Sequence, residues 1–204
     1  MRATSQPELG GERRSGDAAI RLNLLNAFEL SAGGRRFVLS LSSQRLLAFL
    51  ACQQRPLHRT YVAGRLWPGT TQIDARGAYL RSSLWRLRSC CEGLSPLEAT
   101  RAHLTIARCV AVDVREQISL ANRILGGSVD LDDVDYLSLL DGELLPDWDD
   151  DWVRLERERL RQLRLHAIEA LAIGLRELGR YGKATEAAFA PLRVDHCARA
   201  PTVS

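Results

Sequence analysis

At 204 residues, 46% of them hydrophobic and 26% charged, the chain is long enough for one or two cores and is neither fibrous nor wholly disordered. No run approaches the roughly 18 apolar residues of a membrane helix and the start lacks a secretory apolar stretch, so the expectation is a cytoplasmic protein without membrane contact. The formal net charge of +3 conceals an asymmetry: residues 21–117 carry 14 arginines against 6 acids, a balance of +8, while residues 118–204 carry 11 basic and 16 acidic residues, a balance of −5.

A basic half joined to an acidic half points to a nucleic-acid-binding domain beside a domain that contacts something else. Of the 28 basic residues only Lys183 is a lysine. The planar guanidinium suits phosphate and guanine, although a GC-rich genome explains the bias equally well. The five cysteines, Cys52, Cys90, Cys91, Cys109 and Cys197, are odd in number and lack C-x-x-C spacing, which reads as reduced thiols.

In chain order, residues 1–19 are rich in Gly, Ser and charge without periodicity and read as a disordered leader. Ile20 to Leu30 and Arg36 to Leu41 look like strands joined by a turn at Ala32 to Arg35. Ser42 and Ser43 are positioned to cap a helix that runs to about Gln53 and buries Leu46, Leu47, Phe49 and Leu50. His58 to Trp67 reads as a second helix ended by Pro68 and Gly69, and Asp74 to Arg88 as a third. Leu97 to Thr100 and Leu104 to Val114 read as a hairpin turning at Arg101, Ala102 and His103. Two helices, a tight connection, a basic third helix and a hairpin make a winged helix-turn-helix. Residues 117–135 form a weaker helical segment broken at Gly126 and Gly127. Tyr136 to Asp151 leads into a long helix over Trp152 to Leu178, then a turn at Gly179 to Gly182 and a helix from Lys183, which together read as one tetratricopeptide-like unit. The expected fold is mainly α with small antiparallel β, divided into the leader, a winged-helix domain over 20–116 and a helical domain over 117–204.

The third helix carries the chemistry. Leu80, Leu84 and Leu87 fall on one side, while Tyr79, Arg81, Ser82, Trp85 and Arg86 fall on the other. Exposed ion pairs contribute only about 0–1 kcal/mol each, so stability does not call for arginine at 76, 81, 86 and 88. A solvated amphipathic helix is the bland alternative. Ser82 and Arg86, one turn apart, with Tyr79 one turn earlier, are the candidates for base edges. Arg76, Arg81, Trp85 and Arg88, with Arg101 and His103 at the wing tip, are the candidates for the DNA backbone. Trp85 packed under the wing and His103 as a plain turn residue are the alternatives.

No metal site, cofactor or enzyme machinery is expected. Adjacent Cys90 and Cys91 cannot easily place two thiolates on one tetrahedral ion with His103 and Cys109. The acidic run at Asp147, Asp149, Asp150 and Asp151 lacks the glycine turn and distant glutamate of a calcium loop, and reads as a helix N-terminus favoured by the dipole. No phosphate-binding loop, dinucleotide fingerprint or nucleophile elbow is present, and the four histidines are scattered.

Three segments together resemble the Streptomyces antibiotic regulatory protein type of transcriptional activator, which joins an OmpR-like winged helix to a bacterial transcriptional activation domain. They are the series LLAFLA at 46–51, VAGRLWPG at 62–69 and LRSSLWRLR at 80–88, then LTIARCVAVDV at 104–114, and GELLPDWDDDWVRLERERLRQL at 142–163. The resemblance spans about residues 20–194. It implies base contacts at positions matching Tyr79, Ser82 and Arg86, head-to-tail binding of two protomers to a direct-repeat promoter site in double-stranded DNA, and recruitment of RNA polymerase in a nucleoid-associated role. Such domains normally continue past the second helical pair, and the ending HCARAPTVS departs from that pattern, so the reading is of an incomplete activation domain. Two other functions stay open: a helical-repeat protein-interaction adaptor, and a truncated regulator that occupies promoters without activating.

Overall fold

The computed structural model describes residues 20–70, 72–91, 93–129 and 136–197, so the leader read over 1–19 lies outside the described residues. The chain opens with three strands, β1 (Ile20–Asn23), β2 (Glu29–Ala32) and β3 (Arg35–Phe37), each antiparallel to the next. Ile20, Leu22, Leu30 and Ala32 point inward, the period of two expected of a half-buried sheet. The tight turn between β2 and β3 holds Gly33 and Gly34 at φ 57° and 80°, a region glycine enters without steric cost. The single strand expected over Ile20 to Leu30 is instead two. Asn26 breaks it at φ 67°, and the amides of Leu24 and Leu25 leave the ladder to donate to the Asp113 carboxylate at 2.8–3.0 Å.

Three helices follow: α1 (Leu41–Ala51), α2 (Arg59–Leu66) and α3 (Ile73–Cys90), with the two-residue strand β4 (Leu57–His58) before α2. Ser40, not Ser42 or Ser43, holds the N-cap of α1, and its hydroxyl shares hydrogen bonds with the hydroxyls of Ser42 and Ser43. His58, expected in the second helix, lies in β4 because it pairs with a strand 45 residues further on. That strand is β6 (His103–Ile106), which also pairs with β5 (Leu97–Ala99) to form the wing.

The run Leu104 to Val114 is not one strand. It turns at 107–109, and β7 (Val110–Val112) leaves the wing to lie parallel to β1, giving the sheet order β3-β2-β1-β7. Helix α4 (Asp113–Leu125) starts immediately, four residues before the helical segment expected from Gln117. Asp113 fixes this junction by accepting from Leu24, Leu25 and its own neighbour Val114. Burial pushes its carboxyl above the usual carboxylate range and these amides pull it back. Arg115, one turn into α4, donates to the carbonyls of Leu50, Ala51 and Gln53, and so satisfies the C-terminal end of α1.

The chain completes with α5 (Tyr136–Leu139), α6 (Asp151–Glu177) and α7 (Tyr181–Cys197). Two apolar clusters result. The first holds the inward faces of the sheets and α1–α3 together with Leu144, Leu145, Trp152, Val153 and Leu160. The second joins α4, α5, α6 and α7 through Ala121, Ile124, Leu140, Ile168, Leu171, Leu175 and Ala187. The segment before α6 is therefore sewn to the winged helix. A Cβ on Gly142 (φ 104°) would lie 3.1 Å from the Leu25 Cβ, so only glycine allows that approach without displacement. Leu145 donates to the Leu24 carbonyl at 3.0 Å and adopts φ 43°, a conformation that costs a non-glycine residue about 1–3 kcal/mol. Arg157 holds that segment by donating to the carbonyls of Leu144, Leu145 and Trp148 while pairing with Glu143 at 2.9 Å. At the start of α6, Trp152 meets the Phe49 ring edge-on at 5.3 Å, and Asp150 pairs with Arg45 of α1.

The architecture is mainly α with small antiparallel β: a winged helix-turn-helix followed by a tetratricopeptide-like helical part, with β7 on β1 as a parallel addition.

Candidate nucleic-acid interface

Helix α3 sits on α1 and α2 through Leu80, Ser83, Leu84 and Leu87, all buried. Ser83 permits a close approach because its carbonyl accepts from the Ser43 hydroxyl of α1 at 3.2 Å while its own hydroxyl satisfies the Tyr79 carbonyl one turn back. With one face spent on packing, Tyr79, Arg81, Ser82, Trp85, Arg86 and Arg88 are all exposed along the other. The sequence-predicted residues of this helix are thus brought together on one surface, except Arg76. Arg76 is half-buried and turns back to donate to the carbonyls of Thr70 at 2.5 Å and Pro68 at 3.3 Å, bracing the loop that leads into α3.

Trp85 is 69% exposed and does not pack under the wing. Counting 3.6 residues per turn from the buried stripe, Ala78, Ser82, Trp85 and Ser89 run along the middle of the outward face. Arg81 and Arg88 lie on one flank, Arg86 and Tyr79 on the other. Tyr79 does not stand alone: its ring stacks on Trp67, the residue that ends α2, with centroids 6.1 Å apart and planes 20° from parallel.

The electrostatic pattern groups this helix with α2, its flanks and the wing, and sets them apart from the first part of α6. Arg81, Arg86 and Arg88 form no ion pair among the described residues, and the same holds for Arg55, Arg59, Arg65, Arg101 and Arg108 on α2, its flanks and the wing. On α6, by contrast, Arg154, Arg157, Arg159, Arg161 and Arg164 each pair with a carboxylate. Arg101 and His103 are exposed at the turn of the wing, as expected there. His103 lies directly across the ladder from His58, the rings edge to face at 5.4 Å, and His58 Nδ1 shares a hydrogen bond with Thr60 at 2.7 Å. Trp67 and His58, which position Tyr79 and His103, were not identified from sequence. Their partners lie 12 and 45 residues away, beyond the reach of a helical or strand period.

The thiols divide by burial. Cys90 and Cys109 are exposed, whereas Cys52 and Cys91 are buried, so the adjacent pair at the end of α3 points to opposite sides. Burial pushes the Cys52 and Cys91 thiols up, away from the thiolate form. Among the described residues no group of three or more His, Cys, Asp or Glu side chains is arranged to hold a metal ion, and no helix is long and apolar enough to cross a membrane.

No family model matches the chain, and no curated protein matches it. A solved structure does: Mycobacterium tuberculosis EmbR in complex with a low-affinity phosphopeptide, at a TM-score of 0.63 and 19% identity. The similarity covers 89% of this chain and 52% of EmbR, so the chain spans about half the length of that protein. At this identity the likeness is one of fold, and it extends through the winged helix and the helical part together.

Proposed function

We propose that the protein is a sequence-specific DNA-binding transcriptional regulator, an activator of a biosynthetic gene cluster that recruits RNA polymerase. The carrying observation is the unpaired arginine face: three guanidinium groups on the outer surface of the third helix of a winged helix have no carboxylate partner within the described residues. Phosphate oxygens and guanine edges are the ligands such a face fits. Tyr79, Ser82 and Arg86 are assigned to base edges, and Arg81, Arg88, Arg101 and His103 to the backbone. Two protomers bind head to tail on a direct repeat, and the acidic helical part supplies the protein contacts. The division into a reading head over 20–116 and a helical domain over 117–204 belongs to the same proposal.

The adaptor reading has one observation of its own. A groove of about 620 Å³ between α6 and α7 is lined by Leu165, Ile168, Ala172, Ile173, Tyr181 and Ala184. It is compatible with a protein partner in either reading, so the DNA-binding test discriminates. Selection of bound sequences from random duplex DNA at physiological salt, followed by salt titration of the winner, should yield an enriched direct repeat whose affinity falls steeply as counterions are released. No enrichment by a verifiably folded protein overturns the reading in favour of the adaptor.

A further inference from the structure

Trp85 is an indole held out in water at the centre of a cationic helix face. Its ring makes no aromatic or cation–π contact among the described residues, and its backbone carbonyl is already satisfied by Ser89. On α3 the buried stripe of Leu80, Ser83, Leu84 and Leu87 fixes which way the helix faces. The residues opposite that stripe are small, Ala78, Ser82 and Ser89, with Trp85 rising among them. A helix 10–12 Å across fills the major groove, which is about 12 Å wide, so the middle of its outer face meets the groove floor while its flanks meet the two backbones. Arg81 and Arg88 occupy one flank and Arg86 the other. Arg81 and Arg88 are therefore placed to hold phosphate on one side of a central apolar probe, while Arg86, assigned to a base edge, reaches toward the groove floor from the other.

The floor of the major groove offers one apolar group, the C5-methyl of thymine. On the reading above that α3 enters DNA, we propose that Trp85 determines specificity by covering a thymine methyl at the middle of each half-site, rather than lying against the phosphate backbone. A backbone contact is indifferent to that methyl, whereas a base contact is not. Arg81 and Arg88 supply affinity without sequence, and Trp85 converts the position between them into a preference for thymine.

The test uses the full chain and the duplex selected from random sequence, in which each thymine of a half-site is replaced in turn by deoxyuridine, which pairs identically and lacks only the methyl. Burial of one methyl group corresponds to about a fourfold change in affinity. At one central position the parent should lose about fourfold on replacement, Trp85→Ala should bind both duplexes equally, and Trp85→Phe should retain most of the discrimination. Because Trp85 is exposed, its variants should keep the parent's thermal midpoint, which separates loss of contact from loss of fold. Comparing the same two duplexes on parent and variant also cancels any effect of the missing methyl on DNA shape. An equal loss for Trp85→Ala and the parent, or no sensitive thymine in a site the parent binds selectively, overturns the role of Trp85 alone. Absence of any selected site overturns the DNA-binding reading, and this inference with it.

Discussion

Replacing Trp152 by Ala should destabilise the winged helix itself, although position 152 lies far beyond the last strand of the wing. Trp152 is 4% exposed, lies edge-on to Phe49 of α1 and sits in the same apolar cluster as Leu46, Leu66 and Leu104. A buried tryptophan covers about 150–250 Å², which at about 25 cal/mol per Å² amounts to roughly 4–6 kcal/mol as an upper bound. Truncations of buried Trp and Phe to Ala cost about 3–5 kcal/mol, and that is the expected loss. Against a total of about 5–15 kcal/mol for a protein of ordinary stability, it is a large fraction. Urea unfolding followed by far-ultraviolet circular dichroism should show the midpoint falling by about 2 M at an m value near 2 kcal/mol/M. A local probe decides where the loss is felt. Cys52 is buried at the end of α1, so its labelling by a maleimide reports opening of the winged-helix core. Trp152→Ala should expose Cys52, whereas Leu171→Ala, which empties the second cluster, should leave it protected. A loss below about 1 kcal/mol, or unchanged protection of Cys52 in Trp152→Ala, would refute the reasoning that the start of α6 completes the first core.

Arg86→Ala should weaken the selected site by about 1–3 kcal/mol and relax preference at one base pair, while Arg88→Ala should weaken all sequences alike and lower the salt slope by about 1. Binding isotherms at several salt concentrations on matched and mismatched duplexes check both, and equal behaviour of the two variants would contradict the assignment of base and backbone roles. Asp113→Ala leaves the amides of Leu24 and Leu25 without their acceptor and should cost about 1–3 kcal/mol in denaturant unfolding. Under native conditions Cys90 and Cys109 should label with maleimide within the time that Cys52 and Cys91 remain unmodified, as read by peptide mass spectrometry.

The elements legible in the sequence were those whose signal is local. Leu80, Leu84 and Leu87 mark the buried side of α3 by period alone, and Pro68 and Gly69 mark the end of the preceding helix, so both helices lie where expected to within a few residues. The divergences share one cause, pairing between distant segments. The run Leu104 to Val114 carries strand character throughout, yet it serves two sheets, because β4 claims its first part and β1 claims its last. Ile20 to Leu30 is equally strand-like, but the Asp113 carboxylate, 88 residues later, captures the amides of Leu24 and Leu25 and ends β1 early. The same limit applies at the candidate interface. Period placed Tyr79 and Arg86 on the outer face, but the Trp67 ring under Tyr79 and the loop carbonyls that claim Arg76 are tertiary partners.

Arginine usage is where composition alone was most ambiguous, since a GC-rich genome and a phosphate-binding surface both enrich it. The partners resolve two populations. The α6 arginines from Arg154 to Arg164 face carboxylates one turn away or in the segment before the helix, as with Arg159 and Glu156, Arg161 and Glu158, and Arg157 and Glu143, while Arg176 near the end of the helix is unpaired among the described residues. Exposed pairs of this kind contribute little each, but Arg157 also donates to four backbone carbonyls, those of Leu144, Leu145, Pro146 and Trp148, and so holds the strained turn at Leu145. Arg45 and Arg115 do the corresponding work at α1, one joining it to Asp150 and the other satisfying its last carbonyls. On α3, Arg81, Arg86 and Arg88 have no such occupation. On the proposed reading, the counter-charge of this face, as of the unpaired arginines of α2 and the wing, is DNA phosphate. Because α1 packs against both α3 and the start of α6, the helical part is joined to the same helix that supports that face, and the proposed protein contacts of the one would be coupled through α1 to the other.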